Sequence, residues 1–213
     1  MTGLAEALAP LPLIAILRGL APKRARAVGA VLVEAGFRAL EVPLNSPDPM
    51  RSIAVLAEAF AGRALVGAGT VLAPDQARAV AAAGGRMVVM PHWDAAVVAA
   101  TKRAGLWSVP GVATPSEAFA ALAAGADALK MFPAEALPPA VVRAWRAVLP
   151  PSCLLLPVGG IRPETLGPYL AAGASGFGIG SALFAPALDD AEIAARARAF
   201  AAAWRHAAGG GAP

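Results

Sequence analysis

The sequence predicts an α/β protein, a single-domain (β/α)8 barrel of the TIM type with a short N-terminal helix. Three observations carry that expectation. Eight short apolar runs alternate with longer Ala- and Leu-rich stretches of helical periodicity. Many of the helical stretches open near a Pro and close at a Gly, the ordinary punctuation of helix ends. Eight such units in 213 residues suit a compact barrel. A doubly wound open sheet is the alternative, because periodicity does not reveal closure.

The expected strands are Leu13–Leu17, Arg38–Val42, Ala64–Gly67, Arg86–Val89, Leu106–Val109, Asp127–Met131, Leu154–Val158 and Gly176–Ile179. Each is apolar nearly throughout, as a parallel strand covered on both faces should be. Between them, Arg24, Arg26, Glu34, Glu58, Arg78, Arg143 and Arg146 fall on the polar sides of helical repeats. Pro22, Pro47, Pro74, Pro115, Pro138 and Pro163 mark the first turns of helices, and Gly36, Gly84, Gly105, Gly125 and Gly173 mark their ends. Met1–Pro12 is expected to form a short helix that covers the barrel bottom or packs against a neighbour. Residues 1–208 form the domain, and Gly209–Pro213 read as a disordered tail.

Composition excludes several classes of protein. The chain is 58% hydrophobic with a mean hydropathy of +0.62, but alanine accounts for most of this. No run of eighteen apolar residues lacks a charge or a turn former, so no membrane span is expected. The apolar Leu4–Leu17 stretch lacks a basic leader and is broken by Pro10 and Pro12, which argues against a signal peptide. The single cysteine, Cys153, has no partner for an intramolecular disulfide and reads as a small buried hydrophobe in a cytoplasmic protein. The net charge of +4 is scattered, without basic runs, so nucleic acid is not an expected partner. A metal centre is not expected either. The two histidines, His92 and His206, stand apart, and no His/Asp/Glu cluster has ligand spacing.

In a barrel of this kind the active site lies at the C-terminal ends of the strands. That rule selects Arg18, Glu41, Asn45, Thr70, Lys130, Gly159, Gly160, Gly180 and Ser181. Lys130 lies in the apolar run Ala128-Leu129-Lys130-Met131-Phe132. A lysine there either snorkels to solvent or is desolvated, and a desolvated amine is a nucleophile toward carbonyls. Glu41, flanked by Leu40 and Val42, is a carboxyl whose burial would raise its pKa into the range useful for proton transfer; it can also pair with Arg18 or Lys130 and hold the barrel top together, and the two roles can coexist. Arg18 offers a fork suited to a carboxylate. Val158-Gly159-Gly160-Ile161 and Gly178-Ile179-Gly180-Ser181 follow the seventh and eighth strands, the usual phosphate cradle of this architecture, with a helix N-terminus expected behind. A phosphorylated small molecule is the expected substrate. His92, after Pro91, reads as a solvated loop residue near the same face.

Residues 10–205 resemble the class I 2-keto-3-deoxy-6-phosphosugar-acid aldolases. The resemblance rests on Leu-Pro-Leu-Ile-Ala-Ile-Leu-Arg-Gly (11–19), Glu-Val-Pro-Leu-Asn-Ser-Pro (41–47), Gly-Ala-Gly-Thr-Val-Leu (67–72), Ala-Leu-Lys-Met-Phe-Pro-Ala (128–134) and the two glycine loops. It implies a barrel, a homotrimer, and catalysis without metal or cofactor through a lysine Schiff base. By the same resemblance Lys130 is the Schiff-base lysine and Glu41 the general acid/base. Arg18 and Thr70 hold the pyruvyl half, Gly159, Gly160, Gly180 and Ser181 the phosphate, and Pro91 and Phe132 shape the pocket. The gluconate branch of the family carries an arginine where this chain has Asn45, so Arg18 and Asn45 point to the galactonate branch. The implied products are pyruvate and glyceraldehyde 3-phosphate. Preference for the gluconate epimer, or acceptance of both, is the alternative.

Overall fold

The computed structural model describes residues 3–9 and 11–209. Its strands are β1 (Leu13–Ile16), β2 (Ala39–Pro43), β3 (Leu65–Gly69), β4 (Met87–Val89), β5 (Trp107–Val109), β6 (Gly111–Val112), β7 (Leu129–Met131), β8 (Leu155–Pro157) and β9 (Phe177–Ile179). The helices are α1 (Leu4–Leu8), α2 (Pro22–Glu34), α3 (Pro49–Ala59), α4 (Pro74–Ala82), α5 (Ala95–Arg103), α6 (Pro115–Ala123), α7 (Pro139–Arg146), α8 (Leu166–Ala171) and α9 (Asp190–Gly209). Every strand pair is parallel, in the orders β5-β4-β3-β2-β1-β9 and β6-β7-β8.

The two sheet segments join into a ring. Val158 bridges Gly178 in parallel, and the Ser175 amide donates to the Leu155 carbonyl at 2.8 Å, linking β8 to β9. At the other seam β5 and β6 are one barrel strand interrupted at Pro110, which has no N–H to contribute to the ladder. Its carbonyl still accepts from the Lys130 amide at 2.9 Å. The open-sheet alternative is thereby set aside. The fifth strand extends past the expected end at Val109.

Alternation along each strand sorts side chains between two layers. Leu13, Ala15, Leu40, Val42, Val66, Val88, Leu129, Met131, Leu155 and Phe177 point outward and pack under the helices. Ile14, Ala39, Leu65, Met87, Val89, Val109 and Leu156 point inward and fill the lower barrel. Leu4 and Leu8 of α1 join that inner cluster, so α1 closes the bottom, as expected of an N-terminal helix. Two steps along from Ala39 and from Ala128, the same alternation turns Glu41 and Lys130 into the upper barrel.

Loop chemistry sets the helix ends. Gly36, Gly84, Gly105, Gly125 and Gly173 all adopt positive φ, from 71° to 105°, as left-handed caps. Thr114 and Glu117 form a capping box at the start of α6, and the Asp94 carboxylate accepts from the Val97 amide at 2.8 Å. Helix α3 begins at Pro49, two residues later than Pro47 suggested, because Asp48 occupies the left-handed region at φ 38°. Pro138 precedes α7 as its cap, and Pro163 opens a 3₁₀ turn, Pro163–Thr165.

Polar ties hold the site-bearing segments. Arg24 on α2 donates to Asp190 at 2.7 Å and to the carbonyls of Pro186 and Leu188, joining the first large helix to the last. Arg146 donates to Gly173, Cys153 and the Ser175 hydroxyl at 2.6–2.7 Å, which anchors the entries to β8 and β9. Burial pushes the Cys153 thiol pKa up, consistent with a packing role. Gly209, expected to begin the disordered tail, is instead the last residue of α9; residues 210–213, like Met1, Thr2 and Pro10, lie outside the described residues.

Candidate active site

Glu41 leaves β2 facing the barrel axis and is 2% exposed. Its Oε2 has no hydrogen-bond partner. Desolvation raises its pKa to about 6, against the opposing pull of the Lys130 and Arg18 cations. The room it occupies is supplied by Gly69 at the end of β3, where a Cβ would overlap the Glu41 carboxyl. A side chain at residue 69 and a carboxyl at residue 41 cannot share this space.

Lys130, in the middle of β7, is 7% exposed. Burial lowers the pKa of its amine, with Glu41 acting to raise it and Arg18 to lower it. Its Nζ lies 4.6 Å from the centroid of the Phe132 ring, an apolar and weakly cation-attracting wall. Among the described residues no direct ion pair joins Glu41 to Lys130 or Arg18; the only ion pairs are Arg24–Asp190 and Lys102–Asp127. The amine and the carboxylate thus stay unneutralised by contact, each pushed toward its uncharged form. Lys130 is desolvated and not carried out to solvent, and Glu41 makes no direct ion pair with Arg18 or Lys130.

A cavity of about 990 Å³ opens above them. Arg18, Glu41, Thr70, Pro91, Lys130, Phe132, Gly159, Gly160, Gly180 and Ser181 all line it. Asn45 does not. Its Oδ1 instead accepts from Arg18 Nη1 at 2.6 Å, so Asn45 acts on the cavity through the guanidinium it orients. His92 is exposed and lies off the cavity. Thr70 holds a left-handed backbone at φ 55°, a strained conformation for a β-branched residue.

The rim differs from expectation in one respect. Gly159 and Gly160 take positive φ (110° and 61°), which opens their amides, but a 3₁₀ turn follows β8 and a short turn follows β9 in place of long helix N-termini. Glu135, Arg162 and Glu164 also line this rim and were not singled out in the sequence. The Glu135 side chain lies against Gly159 and Gly160. Its 3₁₀ turn, Ala134–Ala136, is held by the Tyr169 hydroxyl, shared between the Ala134 and Leu137 carbonyls, and by the Ala134 amide donating to Val158 at 2.8 Å. Among the described residues no group of three or more His, Cys, Asp or Glu is placed to hold a metal ion, and no helix is long and apolar enough to cross a membrane.

This buried amine and carboxyl under a glycine-lipped mouth place the molecule among the barrel aldolases: the chain belongs to the KDPG and KHG aldolase family, whose model matches residues 4–197. Within it, the chain is 45% identical over 199 residues to a Rhizobium meliloti (strain 1021) protein named "Probable 2-dehydro-3-deoxy-6-phosphogalactonate aldolase", covering 93% of this chain and 94% of that one. It is 44% identical over 197 residues to the 2-dehydro-3-deoxy-6-phosphogalactonate aldolase of Escherichia coli (strain K12), covering 92% and 96%. A solved structure described as native KDPGal superposes with a TM-score of 0.92 at 43% identity, over 93% of this chain and 97% of that one.

Proposed function

We propose that this protein is a class I aldolase that cleaves 2-dehydro-3-deoxy-6-phosphogalactonate to pyruvate and D-glyceraldehyde 3-phosphate through a Schiff base on Lys130. One observation carries the reading: a desolvated amine and a desolvated carboxyl face the same cavity without an ion pair between them. Lys130 Nζ attacks the C2 carbonyl, and the carbinolamine loses water to become an iminium. Glu41 Oε2, free of other partners, takes the C4 hydroxyl proton. The C3–C4 bonding pair moves into the iminium, which releases the aldehyde and leaves an enamine on Lys130. Protonation at C3 and hydrolysis then free pyruvate and restore the amine.

Arg18, steadied by Asn45, and Thr70 hold the pyruvyl carboxylate in this scheme; Gly159, Gly160, Gly180 and Ser181 hold the phosphate, and Pro91 and Phe132 bound the pocket. No metal or cofactor takes part. The galactonate epimer is preferred because Asn45 stands where the gluconate branch carries an arginine, and because the similar proteins above carry the galactonate name. Residues 1–208 act as one cytoplasmic catalytic domain. We assign the assembly as a homotrimer. Its ground is the family resemblance, and a surface open to such contacts is the apolar face where α6 exposes Phe119 (47%) and, just beyond α7, Val148 is exposed (58%). Light scattering should give three copies, and Phe119→Asp should reduce that number.

Pyruvate release from the two C4 epimers, measured in parallel with a chelator present, tests the assignment. Faster turnover of the galactonate epimer is expected, and borohydride with pyruvate should label Lys130. Lys130→Arg keeps the charge but should lose turnover and labelling. Turnover close to that of the unaltered enzyme in this variant would remove Lys130 from the nucleophile role.

A further inference from the structure

At the opposite end of the barrel the chain repeats one feature on three neighbouring strands. Arg38 immediately precedes β2, Arg63 lies two residues before β3, and Arg86 immediately precedes β4. Together with Trp107, at the start of β5, and Ala7 of α1, they line a groove of about 510 Å³. Adjacent strands lie about 4.8 Å apart, so Arg38 and Arg86 start from backbone positions about 10 Å apart, with Arg63 between them.

The sheet ladder fixes the backbones of these residues. The Leu65 amide donates to the Arg38 carbonyl at 2.7 Å, Arg86 donates to Val66 at 2.7 Å, and Trp107 donates to Arg86 at 3.0 Å. Each guanidinium is also held, in every case by an uncharged partner. Arg38 donates to the carbonyls of Val33 and Phe37 at 2.9 Å, Arg63 lies 5.8 Å from the Phe60 ring centroid, and Arg86 lies 5.6 Å from that of Trp107. No carboxylate of the described residues pairs with any of the three. Three held cations in one concavity, without counter-charge, form a site of planar forks suited to oxyanions.

We propose that this groove at the barrel bottom binds a small polyanion carrying two or more phosphate or carboxylate groups, at a site separate from the catalytic cavity. The spacing favours several anionic groups over one, because a single oxyanion cannot reach all three forks.

The test uses the full chain with pyrophosphate and citrate as probes, read at the indole N–H resonance of Trp107, which Trp107→Phe identifies. That signal reports on the groove alone, so probe bound at the catalytic mouth does not register. A saturable shift with either probe is expected, with affinity about tenfold weaker in Arg63→Ala and again in Arg86→Ala. Both arginines are exposed, so the variants should fold and release pyruvate at the normal rate. A shift that sodium chloride at equal ionic strength reproduces, a shift that survives the double variant, or no shift with either probe would overturn the proposal.

Discussion

Gly69→Ala should disable the site without unfolding the barrel. The φ of Gly69 is not in the left-handed region, so alanine meets no backbone strain. What it meets is Glu41: the new methyl would overlap the carboxyl and lie 2.9 Å from Cγ. Carbon and oxygen in ordinary contact stand about 3.5 Å apart, so the carboxyl must retreat by about 2 Å. Such a crowded interior substitution costs about 1–3 kcal/mol of stability, a loss of roughly 2–10 °C in Tm for a chain of this size. A displacement of even about 1 Å can cost on the order of a hundredfold in rate, so kcat should fall at least that far. The assay pairs single-turnover pyruvate release with borohydride trapping of added pyruvate. Trapping should decline less than cleavage, because in the proposed mechanism C3–C4 scission depends on Glu41 as base. A Gly69→Ala enzyme that cleaves at the normal rate would refute the placement of Glu41 against Gly69.

Further outcomes at Glu41, Glu135 and Thr70 follow from the same geometry. Because Glu41 titrates near 6, kcat/KM should fall as pH drops through about 6, and Glu41→Gln should abolish that limb along with the activity. The sign for stability is opposite. A carboxyl raised from 4.5 to about 6 on folding destabilises the native state above pH 6 and ceases to do so below 4.5, so Glu41→Gln should gain about 2 kcal/mol at pH 7 in a denaturant titration. Glu135→Gln removes a carboxylate lying on the Gly159–Gly160 loop, the proposed phosphate site, and should lower KM for the phosphorylated substrate by about three- to tenfold at low salt, with less effect at high salt. Thr70→Gly relieves a strained φ of 55° and should raise Tm slightly, by up to about 1 kcal/mol in stability, while turnover drops with loss of the hydroxyl.

Much of the barrel was readable because its signals are local. A glycine after a helix needs only its own positive φ, and an apolar run needs only its neighbours. The continuation of the fifth strand beyond Pro110 was not expected, because its place inside one barrel strand depends on pairing with Lys130 across the seam. The buried amine and carboxyl were legible because a charge in an apolar strand is conspicuous and alternation then aims it inward. Gly69 was not, since its meaning depends on a side chain from the adjacent strand. Glu135 resembled any surface acid until the turn after β7 laid it on Gly159 and Gly160. Asn45 was expected in the cavity, and only the fold reveals that it lies behind the lining and hydrogen-bonds Arg18 instead. The three arginines of the lower groove are scattered in the chain and meet only through strand order.

Among the described residues, the plug formed by Leu4 and Leu8 fills the lower end of the barrel and leaves the upper cavity as the doorway. Lys130 sits inside that doorway and the Gly159–Gly160 lip at its threshold. Traffic is therefore last in, first out. In the proposed mechanism the phosphorylated aldehyde, outermost, departs while the three-carbon fragment is still tethered to the lysine. In the direction of bond formation pyruvate must load before the aldehyde, and an aldehyde that arrives early blocks the way. Initial-rate kinetics in the synthetic direction should accordingly be ordered, with the aldehyde inhibiting at high concentration.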